Sequence, residues 1–302
     1  MYDLLIIGGG PAGLTAALYL ARAGCRTLVL ERRGYGGQIA ITNEVVNYPG
    51  VPKTSGIELT DTMRRQAEDF GAEFLIAEAR ELSLFDAEKT VKTSAGDFRC
   101  LGVLLATGAQ PKMAGFRGEE DFRGRGVSYC ATCDGAFFKD KNVAVVGGGN
   151  TALDDALVLS FTSKKVYLIH RSDTFSGEKR LLEKLQEHDN VVFILDSEVT
   201  AINGSERLES LGIRNKVSGE EQTLDVDAVF IAIGHVPDNK AFASLVELDA
   251  YGYIKTDENC ATSCPGIYAA GDGRVKKVRQ LTTAAADGTE AALAACDYID
   301  LL

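Results

Sequence analysis

The chain has 302 residues, 45% of them hydrophobic and 25% charged, with a formal net charge of −11. That length is enough for two domains with a core each. The acidic balance, with no Lys/Arg run, argues against nucleic acid as a partner, and no stretch is long and apolar enough to span a membrane.

The N-terminus enters an apolar run at Leu4–Ile7 without a basic start, a longer apolar stretch or a small-residue cleavage site, so no secretion signal is read there. The expected compartment is the cytoplasm. Thiols are mostly reduced there, and a close cysteine pair points to catalysis or metal binding rather than to a structural bridge.

The first predicted unit runs strand, glycine turn, helix, strand: Tyr2 to Ile7, then Gly8-Gly-Gly-Pro-Ala-Gly13, then Leu14 to Leu20, then Thr27 to Glu31. This is the βαβ start of a doubly wound sheet. Gly8 permits the tight turn, Gly10 lets backbone approach a pyrophosphate, and Gly13 keeps helix and strand close. Pro11 and Ala12 open the helix, whose free N–H groups face the phosphates. Glu31 ends the second strand, where an acid binds both hydroxyls of an adenosine ribose and repels a 2′-phosphate. The site suits FAD or NAD.

The same pattern returns at 141–170. Gly147 matches Gly8 (147 − 8 = 139) and His170 matches Glu31 (170 − 31 = 139), with no gap between. Gly147, Gly149, Asn150, Thr151 and Ala152 repeat the turn and helix start. At the end of the second strand, His170 and Arg171 replace the acid. Nothing there repels a phosphate, so this site leans toward NADP(H). Two fingerprints in matched strand-turn-helix context are far more specific than one; the alternative is two glycine turns that bind nothing.

Between the repeats lies Cys130-Ala-Thr-Cys133-Asp134. In Cys-x-x-Cys the sulfurs can bridge across one short turn, and a helix start there lowers a thiol pKa. Asp134 supplies a carboxylate that can carry a proton. The competing reading joins Cys130 and Cys133 to Cys260 and Cys264 in a zinc site. The three-residue gap of the second pair, just before a predicted strand, fits that reading less well. Cys25, Cys100 and Cys296 are isolated and read as buried small hydrophobes. Further on, Gly266 to Asp272 reads as a buried strand ending in Gly-Asp, where the acid either reaches a cofactor hydroxyl or simply completes a turn. His188 falls in a polar amphipathic segment and reads as solvated. His235 follows the run Ala228 to Gly234 and suits loop packing or nicotinamide contact equally.

Taken together, these motifs closely resemble those of the low-molecular-weight thioredoxin reductases, over nearly the whole chain. The resemblance rests on Gly8–Gly13, Gly36-Gly-Gln38, Asn47-Tyr-Pro-Gly50, Ala106-Thr107-Gly108, Cys130–Asp134, Gly147–Ala152, Gly234-His-Val-Pro237, Ala269-Ala-Gly-Asp272 and Arg279-Gln280. It implies FAD contacts from Gly37, Gln38, Asn47, Asp272, Arg279 and Gln280, with Thr107, Gly108 and Gly234 in the cofactor motifs. It implies Cys130/Cys133 as the redox disulfide, Asp134 as acid/base, thioredoxin or a thioredoxin-like protein as partner, and a homodimer. The implied fold is α/β: two doubly wound Rossmann-like dinucleotide-binding domains, the second inserted into the first. An FAD domain would comprise residues 1–113 and 245–302, and an NAD(P)H domain carrying the dithiol residues 114–244. Gly115–Gly118 and Pro237–Asn239 offer hinge chemistry near the junctions, and the dithiol must meet flavin and protein substrate in turn, which calls for a hinge motion.

One departure stands out. The family pattern after the second strand is His-Arg-Arg, three residues, then Arg, the arginines gripping the 2′-phosphate of NADPH. Here Ser172 and Ser176 hold the second and third arginine positions. Each lost charge-assisted contact costs about 1.5–3 kcal/mol, and Asp173 does not compensate. Donors left open are NADPH held through Arg171, NADH, and a low-potential donor such as reduced ferredoxin. A dithiol oxidase also remains open, since it needs no nicotinamide site. A flavoprotein serving a peroxidase is disfavoured, because that family carries an N-terminal extension with a further Cys-x-x-Cys. The larger glutathione-reductase type is disfavoured because residues 36–42 contain no Cys. Outside enzymes, the alternative is a redox sensor or zinc-binding module.

Overall fold

The computed structural model describes residues 1–42, 44–85 and 88–302. The chain divides into two units: residues 1–110 with 236–302, and residues 111–235. The α/β architecture and the insertion of one unit into the other are as expected. The divisions fall three and nine residues before the expected ones (113 − 110 and 244 − 235). The nine-residue difference has a packing cause. Phe242 and Val246 are buried in the same cluster as Leu5, Leu28 and Leu105, in the core of the first unit.

In the first unit, a parallel sheet is ordered Glu73–Ile76, Thr27–Glu31, Tyr2–Ile7, Gly96–Leu105. The long strand Gly96–Leu105 has two partners. Its first half takes the antiparallel strand Glu88–Thr93, which hairpins with Ala79–Phe85; its second half takes Ile267–Ala269 in parallel. Tyr2–Ile7 is paired on both sides, and its buried part, Leu4–Ile7, is a continuous apolar run, as a strand covered on both faces must be. One face is covered by helix α1 (Pro11–Arg22) and the C-terminal helix Leu281–Asp300, which pack on each other through alanines and Gly288. A Cβ at Gly288 would stand 2.3 Å from the Ala12 carbonyl oxygen, so only glycine allows this approach. Helix α2 (Gly56–Asp69) starts on a capping box between Ser55 and Glu58.

The second unit repeats the plan. Its parallel sheet is ordered Val191–Ile194, Lys165–Ile169, Asn142–Val146, Ala228–Ile231, Val127–Ser128. Helix α3 (Ala131–Asp134) is one turn long; α4 (Asn150–Ser160) and α5 (Lys179–Gln186) are longer. An antiparallel sheet of Ser197–Gly204, Leu208–Asn215 and Glu221–Asp225 completes the unit. No helix of the described residues is long and apolar enough to cross a membrane.

The two segments expected to be hinges are well anchored. Glu119, 2% exposed, accepts hydrogen bonds from the amides of Ala114, Gly115 and Phe116 at 3.1, 2.7 and 3.0 Å. It also accepts one from the Tyr129 hydroxyl at 2.8 Å, which ties this loop to the residue before Cys130. Asn239, 1% exposed, is a buried bracket of the first unit.

Candidate active site

The first cluster forms where strands of the first unit end. Gly8 takes φ +115°, and a Cβ there would lie 2.1 Å from the Ala106 carbonyl oxygen, so the turn lies against the Ala106–Gly108 loop. Gly13 approaches the Gly8 carbonyl closely enough that a Cβ would be 2.0 Å from it. Pro11 opens α1, with Gly10 as its extended N-cap. Gly10 and Gly37 face each other: a Cβ on Gly10 would meet only the Gly37 Cα, at 3.8 Å. That leaves a side-chain-free cradle over the start of α1, with Gln38 next in the turn Gly37–Ile41. The Glu31 carboxylate accepts the Gly9 amide at 2.9 Å through Oε2 and the Arg33 amide at 3.1 Å through Oε1. Asn47 lies on an exposed stretch of chain.

Two further loops join this cluster. Asn239 Oδ1 accepts the Thr107 hydroxyl at 2.6 Å, and its Nδ2 donates to the carbonyls of Gly252 and Gly273 at 2.9 and 2.8 Å. This one side chain locks the Thr107–Gly108 turn to the Gly271–Gly273 turn. Asp272 is half-buried and its Oδ1 has no partner among the described residues. Burial pushes its carboxyl up, while Lys276 and Arg279 pull it down. Arg279 stacks its guanidinium on Tyr253 at 4.2 Å, and Gln280 caps the C-terminal helix. Below them, Asp287 is held by Arg274 at 2.8 Å, by Lys276 at 2.7 Å and by the Gly271 amide at 2.9 Å.

The second cluster belongs to the inserted unit. Gly147 takes φ +154°, and a Cβ would meet the Ala232 oxygen at 2.4 Å and the Ala152 Cβ at 2.7 Å. The His170 ring lies over Gly148, stacks on Phe175 at 5.1 Å, and places Nε2 3.1 Å from the Thr174 carbonyl. Segment 174–178 folds back onto the turn. The Gly148 carbonyl accepts the Ser176 amide at 2.8 Å, the Gly177 amide at 3.1 Å and the Ser176 hydroxyl at 3.1 Å. Asn150 Oδ1 accepts the Glu178 amide at 2.7 Å. Gly149 caps α4, Thr151 and Arg171 are exposed, and Ser172 is half-buried. Gly234 is exposed at φ +108°.

The third element is the cysteine pair. Cys130 and Cys133 are joined in a disulfide with their Cα atoms 5.3 Å apart. Cys130 is the N-cap of α3, its sulfur accepting the Cys133 amide at 3.2 Å. Asp134 accepts the Ser128 hydroxyl at 2.6 Å. Burial raises its carboxyl above the ordinary range, and the Ser128 hydrogen bond opposes that. Cys260 and Cys264 are free and lie in two different hydrophobic clusters of the first unit.

The model of the pyridine nucleotide-disulphide oxidoreductases matches residues 2–288. The chain belongs to that family. A thioredoxin reductase from Peptoclostridium acidaminophilum is 42% identical over 99% of this chain and 98% of its own length. One from Treponema pallidum is 42% identical over 100% and 98%. The crystal structure of thioredoxin reductase from Streptococcus pyogenes superposes with a TM-score of 0.94 at 39% identity, covering 100% of this chain and 99% of that one.

Within this oxidoreductase, several side chains that shape the sites are not legible from motifs. Gly9 and Gly148, the middle glycines, are required by packing against the Tyr35 and His170 rings. Cys25 and Cys296, read as isolated, have sulfurs 3.7 Å apart, and burial pushes the Cys25 thiol up to about 12. His188 follows the end of α5 and meets the edge of the Phe161 ring, the centroids 5.0 Å apart.

Proposed function

We propose that this protein is a flavoprotein disulfide reductase that passes electrons from a reduced nicotinamide, through FAD, to the Cys130–Cys133 disulfide and on to thioredoxin or a thioredoxin-like protein. The observation that carries this reading is the disulfide itself, set at the start of a helix and followed by a half-buried acid, in a unit that also holds a glycine turn. Full-length relatives named thioredoxin reductase support the protein substrate.

The residues of the first cluster fit FAD. The open cradle between Gly10 and Gly37 suits a pyrophosphate at the start of α1, with Gly8, Pro11, Ala12, Gly13 and Gln38 around it. Glu31 would take the adenosine ribose. The unpartnered Asp272 Oδ1 offers an acceptor to a cofactor hydroxyl, with Asn47, Thr107, Gly108, Arg279 and Gln280 completing the site. When bound, FAD supplies hydride acceptance and two-electron release. In the inserted unit, Gly147, Gly149, Asn150, Thr151, Ala152 and Gly234 would hold the nicotinamide dinucleotide, with His170, Arg171, Ser172 and Ser176 at its adenosine end. Asp134 follows Cys133 directly, and its raised proton affinity suits it to hold a proton for a departing thiolate.

Ser172 and Ser176 favour a donor other than NADPH, either NADH or reduced ferredoxin. They are also the observation that keeps a dithiol oxidase as the second reading. The reduced-thiol chemistry belongs in the cytoplasm, and the family resemblance supports a homodimer.

Anaerobic titration tests the proposal. The purified protein should be yellow, bleach with a reduced nicotinamide, and reduce thioredoxin. The Cys130→Ser/Cys133→Ser variant should still bleach but lose thioredoxin reduction. Retained thioredoxin reduction in that variant overturns the reading, and so does a colourless protein.

A further inference from the structure

Asp155 on α4 is the strongest titratable group that the reading above leaves unused. It is 8% exposed, and its Oδ2 is buried with no partner among the described residues. The backbone N–H of Ala131, the residue after Cys130, lies close enough to its carboxyl to lower its proton affinity. Ala131 is 1% exposed and packs with Leu153, Ala156 and Leu159 of α4. The first turn of the dithiol helix therefore lies on the face of α4 that bears Asp155. A buried acid with one free oxygen, on the helix face that packs against the residue beside a redox sulfur, is poorly explained as packing.

The charges near Asp155 are few. Asp154 lies on its own helix and is exposed. Helix α3 brings Asp134, held by Ser128. The charged residues of α5 (Lys179, Arg180, Glu183, Lys184) and Lys165 on the adjoining strand Lys165–Ile169 are all exposed. Burial pushes the Asp155 carboxyl up to about 7; the Ala131 amide opposes this and Asp154 adds to it.

We propose that Asp155 is a positioning residue for the dithiol: it supports the first turn of α3 from the face of α4 packed against it, and it takes up a proton when the Cys130–Cys133 bond is reduced. The inference rests on the proposed redox role of that pair. Reduction breaks the S–S bond, and the two electrons delivered by the reductant leave two sulfur anions, of which one takes a proton from Asp134 and the other stays a thiolate. That thiolate's negative charge raises the proton affinity of Asp155, which draws a further proton from solvent. Linkage makes the effect reciprocal: an ionised Asp155 disfavours the reduced pair.

The test equilibrates the purified protein and Asp155→Asn with mixtures of reduced and oxidised dithiothreitol at pH 6 and pH 8. Alkylation and mass spectrometry of the peptide containing Cys130 and Cys133 give the dithiol fraction. If reduction raises the carboxyl by about one pH unit, the variant shifts roughly fivefold toward dithiol at pH 8 and hardly at all at pH 6. Asp155→Glu, which keeps an ionisable group, should follow the wild type. An equal shift at both pH values overturns the proposal. A wild-type pair that never cycles in any mixture overturns the redox reading as well, so the two failures are distinct. If Asp155→Asn does not fold, infrared difference spectra serve instead. Reduction at pH 8 should add a carboxylic C=O band in the wild type, displaced in Asp155→Glu; no added band overturns the proposal.

Discussion

The proposed donor preference rests on Ser172 and Ser176, and replacing both serines tests it. Ser172→Arg/Ser176→Arg would place two guanidinium groups beside Arg171, at the end of the strand that carries His170. Each arginine–phosphate contact contributes about 1.5–3 kcal/mol when well formed, but an exposed pair keeps only part of that. Ser176 also gives up its 3.1 Å hydrogen bond to the Gly148 carbonyl, about 1 kcal/mol. The same carbonyl still accepts the Ser176 and Gly177 amides, so the turn should persist. A net gain of about 2–3 kcal/mol predicts roughly 30- to 150-fold better discrimination for NADPH over NADH. Anaerobic stopped-flow reduction of the flavin, with each nucleotide over a concentration range, gives the ratio directly. The reasoning fails if the wild type already prefers NADPH by several hundredfold, or if the double variant leaves the ratio unmoved while both nucleotides still reduce it.

Three further outcomes follow from buried polar groups. Asn239→Ala removes three hydrogen bonds at 2.6–2.9 Å in the core of the first unit; the loss should be about 2–4 kcal/mol, read by urea denaturation, with weaker flavin retention on dilution. Ser128→Ala removes the bond that favours the Asp134 carboxylate, so the limb of the pH–rate profile that follows Asp134 should move to higher pH. Asp155→Asn should stabilise the fold in a pH-dependent way. Its carboxyl stands at about 7 when folded against 3.8 in the ordinary state. The native state therefore binds the extra proton between those values, and wild-type stability falls as pH rises through that window. The variant escapes a cost of up to about 4 kcal/mol above pH 7 and almost none at pH 4; thermal melts across pH read it, and a pH-independent difference contradicts it.

Much of the architecture was legible because both βαβ units carry their signal locally. Apolar strand, glycine turn and following helix are written in consecutive residues, and the constant offset of 139 tied the two copies together. The buried brackets were not legible. Asn239 looks like a hinge because it follows Pro237-Asp238, yet its three partners come from residues 107, 252 and 273. Glu119 likewise anchors a glycine-rich segment that resembles a flexible link. Asp155 sits in an ordinary helical run, Asp-Asp, and only folding shows that Asp154 is exposed while Asp155 is buried. Side chains whose partners are distant in sequence leave no pattern for spacing to reveal.

The duplicated turns also explain why the middle glycine recurs at the same offset. In the first copy, a Cβ at Gly9 would stand 3.3 Å from the Glu31 Cβ and 2.7 Å from the Tyr35 ring. In the second, a Cβ at Gly148 would be 2.1 Å from the His170 ring. The residue ending the second strand thus folds over the turn in both units, and glycine leaves the room it needs. What that residue then does differs. Glu31 draws two amides, those of Gly9 and Arg33, onto its carboxylate and presents negative charge beside the turn. His170 stacks on Phe175 and leaves Arg171 exposed as the nearby cation. One frame therefore offers opposite electrostatics at equivalent positions. With serines at 172 and 176, Arg171 is the exposed cation that follows His170 directly, and the proposed donor preference turns on how much charge it alone among these positions supplies.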